Sequence, residues 1–135
     1  MKFKQFAALP YRLREDDIEI LLITTRKKGH WSVPKGWLIK DGTPQGTAAV
    51  EAFEEAGVRG AVAEKHIGRF RKRRLRKRQS VLCNVRIFPM KVRRQQSIWP
   101  EMEQRSRIWV SQRKAARLVK KPGLRRAIRE FAADA

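Results

Sequence analysis

Several residue types are scarce in this sequence, and each shortage excludes a class of protein. Cys83 is the only cysteine, which excludes an intramolecular disulfide framework and a zinc site built from several cysteines, and fits a reducing compartment. With only His30 and His66, a histidine-based metal site is poorly supplied. Apolar runs such as residues 20–23 are too short to span a bilayer, and residues 1–15 lack the apolar stretch of a secretory signal. We therefore expect a cytoplasmic protein that does not cross a membrane.

Acidic residues are also scarce, since 13 Asp and Glu stand against 33 Lys and Arg, a formal net charge of +20 at pH 7. Self-repulsion at such a charge opposes folding, so the excess favours an anionic partner. Eight of the ten residues 69–78 are basic, and we interpret this segment as a surface that binds the phosphates of a nucleic acid or a small polyphosphate. The basic residues of segment 113–129 are interpreted as solvated surface.

Hydrophobic residues make up 41% of the 135 residues and are spread along the chain, so the sequence predicts one folded domain over residues 1–135. The pattern is mixed α+β, with a loop at residues 35–43 and strands at residues 6–12, 18–25, 61–70, 79–92 and 107–110. A helix is predicted from N-cap Thr43 to residue 56, where Gly57 suits its C-terminal stop. Two further helices are predicted after Ser111 and from Pro122.

Three of the few carboxylates stand close together in the first predicted helix, at Glu51, Glu54 and Glu55. At about 100° per residue, this spacing places them on one helix face. Side-by-side carboxylates repel each other, and a hard divalent cation relieves that repulsion while also bridging to phosphates. An acidic cluster within an intensely basic protein indicates phosphoryl chemistry, because metals and basic side chains together stabilise transferring phosphate groups.

Residues 36–58, GWLIKDGTPQGTAAVEAFEEAGV, resemble a Nudix box, whose pattern is G-x5-E-x7-R-E-U-x-E-E-x-G-U with U a bulky aliphatic residue. The residues in register are Gly36, Glu51, Glu54, Glu55, Gly57 and Val58. Gly42 stands where the family has a glutamate, and Val50 stands where it has an arginine that holds the loop and the glutamates through salt bridges. The resemblance implies that Val50 leaves the glutamates less well organised.

The resemblance also implies a Nudix-type α/β/α sandwich with a mixed β-sheet and hydrolysis of a diphosphate linkage. By that resemblance Glu54 and Glu55 bind Mg²⁺, with Mn²⁺ as the other candidate metal. Glu51 is then a further ligand or the base that orients water, and the Gly36 carbonyl joins the metal shell. Many members take an additional acid from a later loop, for which Glu101 and Glu103 are the candidates.

The sequence is most similar to the branch that hydrolyses diphosphoinositol polyphosphates and dinucleoside polyphosphates, whose very anionic substrates agree with the charge of this chain. The residues expected to contact substrate are Arg26, Lys35, Trp37, Arg76 and Arg78. Trp37 is the candidate for stacking on a base, and Arg76 and Arg78 share one face if their segment is extended.

Two alternatives to a small-molecule hydrolase stay open from the sequence. One is a degenerate Nudix fold that binds RNA or a nucleotide without catalysis, which Gly42 and Val50 favour and the three glutamates disfavour. The other is a pyrophosphohydrolase acting on capped or triphosphorylated RNA ends, for which the basic surface would hold nucleic acid.

Overall fold

The computed structural model describes residues 3–133, and its strands join into one eight-stranded sheet. The strands are β1 (Phe3–Arg14), β2 (Asp17–Thr24), β3 (Trp31–Ser32), β4 (Lys35–Trp37), β5 (Val58–Val62), β6 (Gly68–Arg76), β7 (Gln79–Gln95) and β8 (Arg107–Ser111). β1 and β7 run parallel, whereas the other pairings described are antiparallel. The predicted mixed sheet is confirmed.

β1 is long enough to serve different partners along its length. It pairs with β7 over residues 3–11, with the short strand β4 over residues 5–7 and with β2 over residues 11–14. β2 also pairs with β3 and β8, and β7 also pairs with β5 and β6. β4 is thereby held beside β1, directly before the loop that leads into the first helix.

Three helices complete the part of the fold that the structure describes, namely α1 (Pro44–Ala56), α2 (Gln112–Leu118) and α3 (Pro122–Glu130). The Thr43 hydroxyl accepts a hydrogen bond from the Gly46 amide, and Gly57 ends α1 at a φ of 69°. The Ser111 hydroxyl caps α2 in the same way as Thr43 caps α1. The predicted starts of all three helices are confirmed. None of them, within residues 3–133, is long and apolar enough to be a membrane span.

Two apolar cores lie on opposite faces of the sheet. On one face Phe6 and Ala8 of β1 pack with Ala48 and Ala52 of α1. On the other face the alternating residues of β1, such as Leu9, pack with residues of α2 and α3. Because each face is covered by helices, the architecture is the expected α/β/α sandwich.

Some predicted bounds of strands and loops differ from those of the structure. The strand expected at residues 61–70 is divided between β5 and β6, which a loop at residues 63–67 separates. The basic residues 71–76, for which the sequence analysis predicted no strand, belong to β6, which forms a hairpin with β7. Backbone pairing with β7 holds β6 extended although most of its side chains are charged, an effect that local composition does not signal. Part of the loop expected at residues 35–43 is likewise strand β4.

Candidate active site

The acidic face of α1 meets the sheet at β4. The Lys35 amide donates a hydrogen bond to Glu55 Oε1 at 3.2 Å. A Cβ built on Gly36 would lie 2.6 Å from Glu51 Cδ, so only glycine lets the Glu51 carboxyl approach this strand so closely. Glu55 is buried, Glu51 is half-buried and Glu54 is exposed. The structure therefore brings together Gly36, Lys35 and the three predicted glutamates, and it gives the three carboxyl groups different environments.

Burial raises the pKa of Glu51 to about 8, and the neighbouring charge of Glu55 adds to the effect. Glu54 and Glu101 contribute further repulsion, and a hydrogen bond joins the Glu51 and Glu55 carboxyl groups. Burial also raises the pKa of Glu55, against the opposing attraction of Arg105 and Lys35. The carboxyl groups of the cluster therefore tend to keep protons near neutral pH, because its own surroundings compensate their negative charge only in part.

Arg105 is the cation that joins this cluster to the rest of the fold. Its Nη2 lies 3.4 Å from Glu55 Oε2, and its Nε lies 2.9 Å from Glu101 Oε1. Its Nη1 donates to the Thr24 carbonyl at 3.0 Å, and only 9% of its side chain is exposed. Arg105 therefore ties α1, the end of β2 and the loop before β8 to one another.

That loop also brings Glu101 to the acidic face. The Glu101 amide donates to the Glu54 carbonyl at 3.0 Å, and its carboxylate is held by Arg105. Glu103, two residues further on, is exposed and has no described contact with α1. Of the two later acids expected from the sequence, the structure places Glu101 beside the glutamates.

The C-terminal end of α1, which carries Glu55, is fixed by side chains that satisfy its last carbonyls. Arg107 Nη1 donates to the Ala56 carbonyl at 2.8 Å, and Trp99 Nε1 donates to the Glu55 carbonyl at 3.2 Å. The Arg107 guanidinium also stacks 3.7 Å from the centroid of the Trp99 ring. These contacts set the position of Glu55 relative to β4.

A group of cations stands next to the acids. Burial lowers the pKa of Lys35 to about 7, and the charge of Lys72 lowers it further. Burial also lowers the pKa of Lys72, whose ammonium group lies within hydrogen-bonding reach of Lys35. The Arg76 guanidinium lies 5.9 Å from the Trp37 ring centroid and 5.3 Å from that of Phe3. Lys35, Trp37 and Arg76 therefore lie on one face of the sheet, opposite α1, and Lys35 also contacts Glu55 through its backbone amide.

The two other predicted substrate contacts lie elsewhere. Arg78 is in the β6–β7 turn at a φ of 68°, so the extended segment that would place it on the face of Arg76 does not form. Arg26 follows β2, and its guanidinium contacts the Gln104 amide oxygen at 3.3 Å. It borders the loop of Glu101 rather than the cations of β6.

The donor set of this site fits a hard divalent cation, because it offers three carboxylates and a backbone carbonyl at Gly36. In the described part of the chain, however, no three acidic, histidine or cysteine side chains converge as a preformed metal site. Glu51 and Glu55 are hydrogen-bonded to each other, and Glu55 also faces Arg105. The assignment of Gly36, Glu51, Glu54 and Glu55 as metal ligands stays a prediction.

Comparison with known families identifies the fold. A family model described as "NUDIX domain" matches residues 4–131. The chain belongs to the Nudix family. The resemblance read from residues 36–58 is thereby confirmed for nearly the whole chain.

Individual relatives agree with this assignment. The chain is 36% identical over 127 residues to Nudix hydrolase 21, chloroplastic, of Arabidopsis thaliana, covering 91% of this chain and 63% of the relative. It is 34% identical over 77 residues to diphosphoinositol polyphosphate phosphohydrolase 3-beta of Bos taurus, covering 57% and 46%. It thus spans less than two thirds of the length of each. The solved C. elegans Ap4A hydrolase binary complex shares the fold, with a TM-score of 0.70, 18% identity and coverage of 96% and 94%.

The structure shows what stands at the two departures from the Nudix box. The Gly42 amide donates to the Ile39 carbonyl at 2.8 Å within a tight turn, and Val50 is 41% exposed on α1. A cation nevertheless reaches the glutamates, because Arg105 approaches them from the loop before β8. This Nudix chain therefore holds one of its box acids, Glu55, with an arginine distant in sequence from the box.

Sequence reasoning missed Arg105, Lys72 and Arg74 as site residues. Arg105 follows Glu101 by four positions, but nothing local shows that it reaches Glu55. Lys72 and Arg74 alternate with Arg76 along β6, so they would have been found if the basic segment had been taken as a strand.

Proposed function

We propose that this Nudix chain, acting as one domain over residues 1–135, hydrolyses a diphosphate linkage in a highly anionic substrate. The substrate class is a dinucleoside polyphosphate or a diphosphoinositol-like compound. The observation that carries the proposal is that Lys35 links the acidic cluster to the neighbouring cations. Its backbone amide donates a hydrogen bond to Glu55, and its ammonium group contacts that of Lys72. Carboxylates that could bind a metal ion therefore lie next to lysines that could bind the phosphates of a substrate.

Members of this family generally use divalent metals, and we propose Mg²⁺, or Mn²⁺, held by Glu51, Glu54, Glu55 and the Gly36 carbonyl. When bound, such a cation neutralises phosphate charge and lowers the pKa of a coordinated water. Without a bound cation, burial and the neighbouring charge of Glu55 raise the pKa of Glu51 to about 8, so a cation that binds there must displace a proton and should bind more weakly as the pH falls below about 8. Glu51 is then a further ligand or the base that orients the attacking water. Arg105 and the Lys35 amide orient Glu55.

The other side chains bind and orient substrate. Lys35 and Arg76 attract its phosphates, and Trp37, partly exposed beside Arg76, offers a flat face to a base or sugar ring. Arg26 lies at the margin, against the loop of Glu101. The names of the bovine phosphohydrolase and the C. elegans Ap4A hydrolase support this choice of substrate class.

The test is a substrate panel, containing dinucleoside polyphosphates, a diphosphoinositol polyphosphate and ADP-ribose, assayed with Mg²⁺, with Mn²⁺ and with EDTA. We expect metal-dependent turnover of the polyphosphates, lost in EDTA and restored by added metal. Turnover that persists in EDTA would exclude the metal assignment. Absence of turnover on every compound, together with retained nucleotide binding, would favour the non-catalytic alternative.

Nucleic acid is a second candidate partner, favoured by the outer face of the β6–β7 hairpin. Arg69 is directly opposite Arg86, with the exposed Arg71 next along the strand. Like charges opposite each other destabilise a sheet, and a phosphate backbone would relieve them. Adding a 5′-triphosphorylated RNA and a capped RNA to the panel separates the two substrates, because only an RNA-end enzyme would release diphosphate or a cap nucleotide from them.

We also propose a cytoplasmic location. The relative from Arabidopsis thaliana carries the word chloroplastic in its name, so the location of this chain needs its own measurement. A fluorescent fusion of the natural full-length protein, followed by cell fractionation, is the direct test, and enrichment in an organelle fraction would contradict the proposal.

A further inference from the structure

The inner face of β6 carries a row of cations that the family assignment does not explain. Phe70 is buried in the core beneath α2 and α3, and side chains alternate along a strand. Lys72, Arg74 and Arg76 therefore continue the same face as Phe70, beyond the part that the helices cover. Lys35 of β4 joins them from across β7 and β1, through its contact with Lys72. We call Lys35, Lys72, Arg74 and Arg76 the cationic face.

None of these four cations forms an ion pair in the part of the chain that the structure describes. In the described chain, residues 3–133, no carboxylate oxygen lies within 4.0 Å of the charged group of any of them. Arg74 Nε is buried and has no hydrogen-bond partner. Buried N–H groups in folded proteins are almost always paired, so an unpaired guanidinium nitrogen among other cations indicates the place of an anion.

The strands β7 and β1 form the floor beneath the side chains of the cationic face, and the residues of this floor are uncharged and buried from water. Cys83 of β7, directly opposite Lys72, is fully buried, and Gln5 of β1 is 1% exposed. The Gln5 Oε1 atom has no hydrogen-bond partner, so the floor also offers an acceptor to a hydroxyl group. A low-dielectric floor strengthens the attraction between these cations and an anion placed over them.

We propose that the cationic face is a separate phosphate site, which holds a non-reacting phosphate of the substrate. Lys35 connects it to the acids, since its backbone contacts Glu55 and its ammonium contacts Lys72. The cationic face lies on the face of the sheet opposite α1. A phosphate chain that begins at Glu55, beside β4, must therefore pass the edge of β4 to reach Arg74 and Arg76, which requires more than two phosphates. Resting on the proposed function, this site selects polyphosphates over simple diphosphates such as ADP-ribose.

The first test measures binding without catalysis. Inorganic tripolyphosphate is titrated into the protein in EDTA by calorimetry, for wild type, Arg74→Gln and Arg73→Gln. Arg73 precedes Arg74 on the same strand, is exposed and faces the other side, so both variants lose the same net charge. We expect Arg74→Gln to weaken binding about tenfold, the effect of one charge-assisted hydrogen bond, and Arg73→Gln to change it by less than about twofold.

Equal losses in the two variants would overturn the proposal, because they would show diffuse attraction instead of a site. If Arg74→Gln melts abnormally, Lys72→Gln serves as the second variant, against the same Arg73→Gln control. The Arg74→Lys variant should bind more weakly than wild type but more tightly than Arg74→Gln, since it keeps the charge without the planar fork.

The second test separates this inference from the proposed function. Among substrates that the wild type cleaves, Arg74→Gln should raise KM for a dinucleoside polyphosphate while leaving KM for ADP-ribose unchanged. Equal effects on both substrates would overturn the selectivity. If the wild type cleaves no substrate but binds tripolyphosphate, and Arg74→Gln weakens that binding, then the hydrolase assignment fails and the phosphate site is supported.

Discussion

At the scale of single residues, the three glutamates of α1 differ in burial and in the contacts that their side chains make. Glu55 is buried, receives the Lys35 amide and faces Arg105, whereas the Glu54 carboxylate is exposed. Replacing either glutamate with glutamine removes its charge and keeps its volume, so it tests function at both positions. Only at Glu55 do we expect the replacement also to lower stability.

We expect Glu54→Gln and Glu55→Gln each to reduce metal-dependent hydrolysis about 100-fold or more, because each removes a proposed metal ligand. Glu54→Gln should alter the free energy of unfolding by less than about 0.5 kcal/mol. Glu55→Gln should lower it by about 1 to 2 kcal/mol, since it weakens a buried charged contact while Arg105 keeps Glu101. Steady-state rates and thermal melts measure both effects. Near wild-type turnover in both variants would remove the basis of the metal-site assignment.

Val50 stands at the arginine position of the box, and its side chain is 41% exposed, so a longer residue fits there. We expect Val50→Arg to pair with Glu54, four residues on, and to change stability by less than about 0.5 kcal/mol. By fixing a glutamate that Arg105 does not contact, it should lower the Mg²⁺ concentration for half-maximal activity from a millimolar-range requirement. A Mg²⁺ titration measures this, with Val50→Gln as a control for side-chain length. If Val50→Arg melts normally but needs as much Mg²⁺ as wild type, the missing arginine does not limit this site.

At the scale of elements, the β6–β7 hairpin is closed by a strained turn. Lys77 and Arg78 have φ values of 50° and 68°, in the left-handed region that asparagine and glycine adopt more easily. The double variant Lys77→Asn/Arg78→Gly should therefore stabilise the protein by about 1 kcal/mol. Denaturant unfolding of this variant should be compared with Lys77→Gln/Arg78→Gln, which removes the same charges without relieving the backbone. An equal gain in both would attribute the effect to charge repulsion.

At the scale of the whole molecule, the net charge of +20 acts on folding and on binding in opposite directions. Salt shortens the range of electrostatic interactions to about 8 Å at about 0.15 M ionic strength. Raising the NaCl concentration should raise the melting temperature, because it screens self-repulsion, while it weakens tripolyphosphate binding. Melts and calorimetry over one salt series measure both, with sucrose as an uncharged control. A melting temperature that falls with salt would show that attractive ion pairs dominate the charge balance.

The helices and the acids of the site could be predicted because their causes are local. Thr43 and Gly57 bound α1 through contacts within the neighbouring turn, and helical periodicity places Glu51, Glu54 and Glu55 on neighbouring positions. The basic segment was harder, because its extended form depends on backbone pairing with β7. The sequence indicated that this segment lies at the surface, but it contained no signal for a strand over residues 71–76.

The sequence by itself determined the α+β class, the Nudix resemblance and the position of the acidic cluster, since fixed spacing and helix periodicity need no knowledge of distant residues. Only the tertiary structure decided which cations serve that cluster. Arg105 contacts Glu55, which lies 50 residues earlier in the chain. The side chains of Lys72 and Lys35 meet because β6 and β4 are joined through β7 and β1, and the pairing directs both side chains to the same face of the sheet. Such contacts depend on how the strands pair, because pairing brings together residues whose separation along the chain carries no information about their distance.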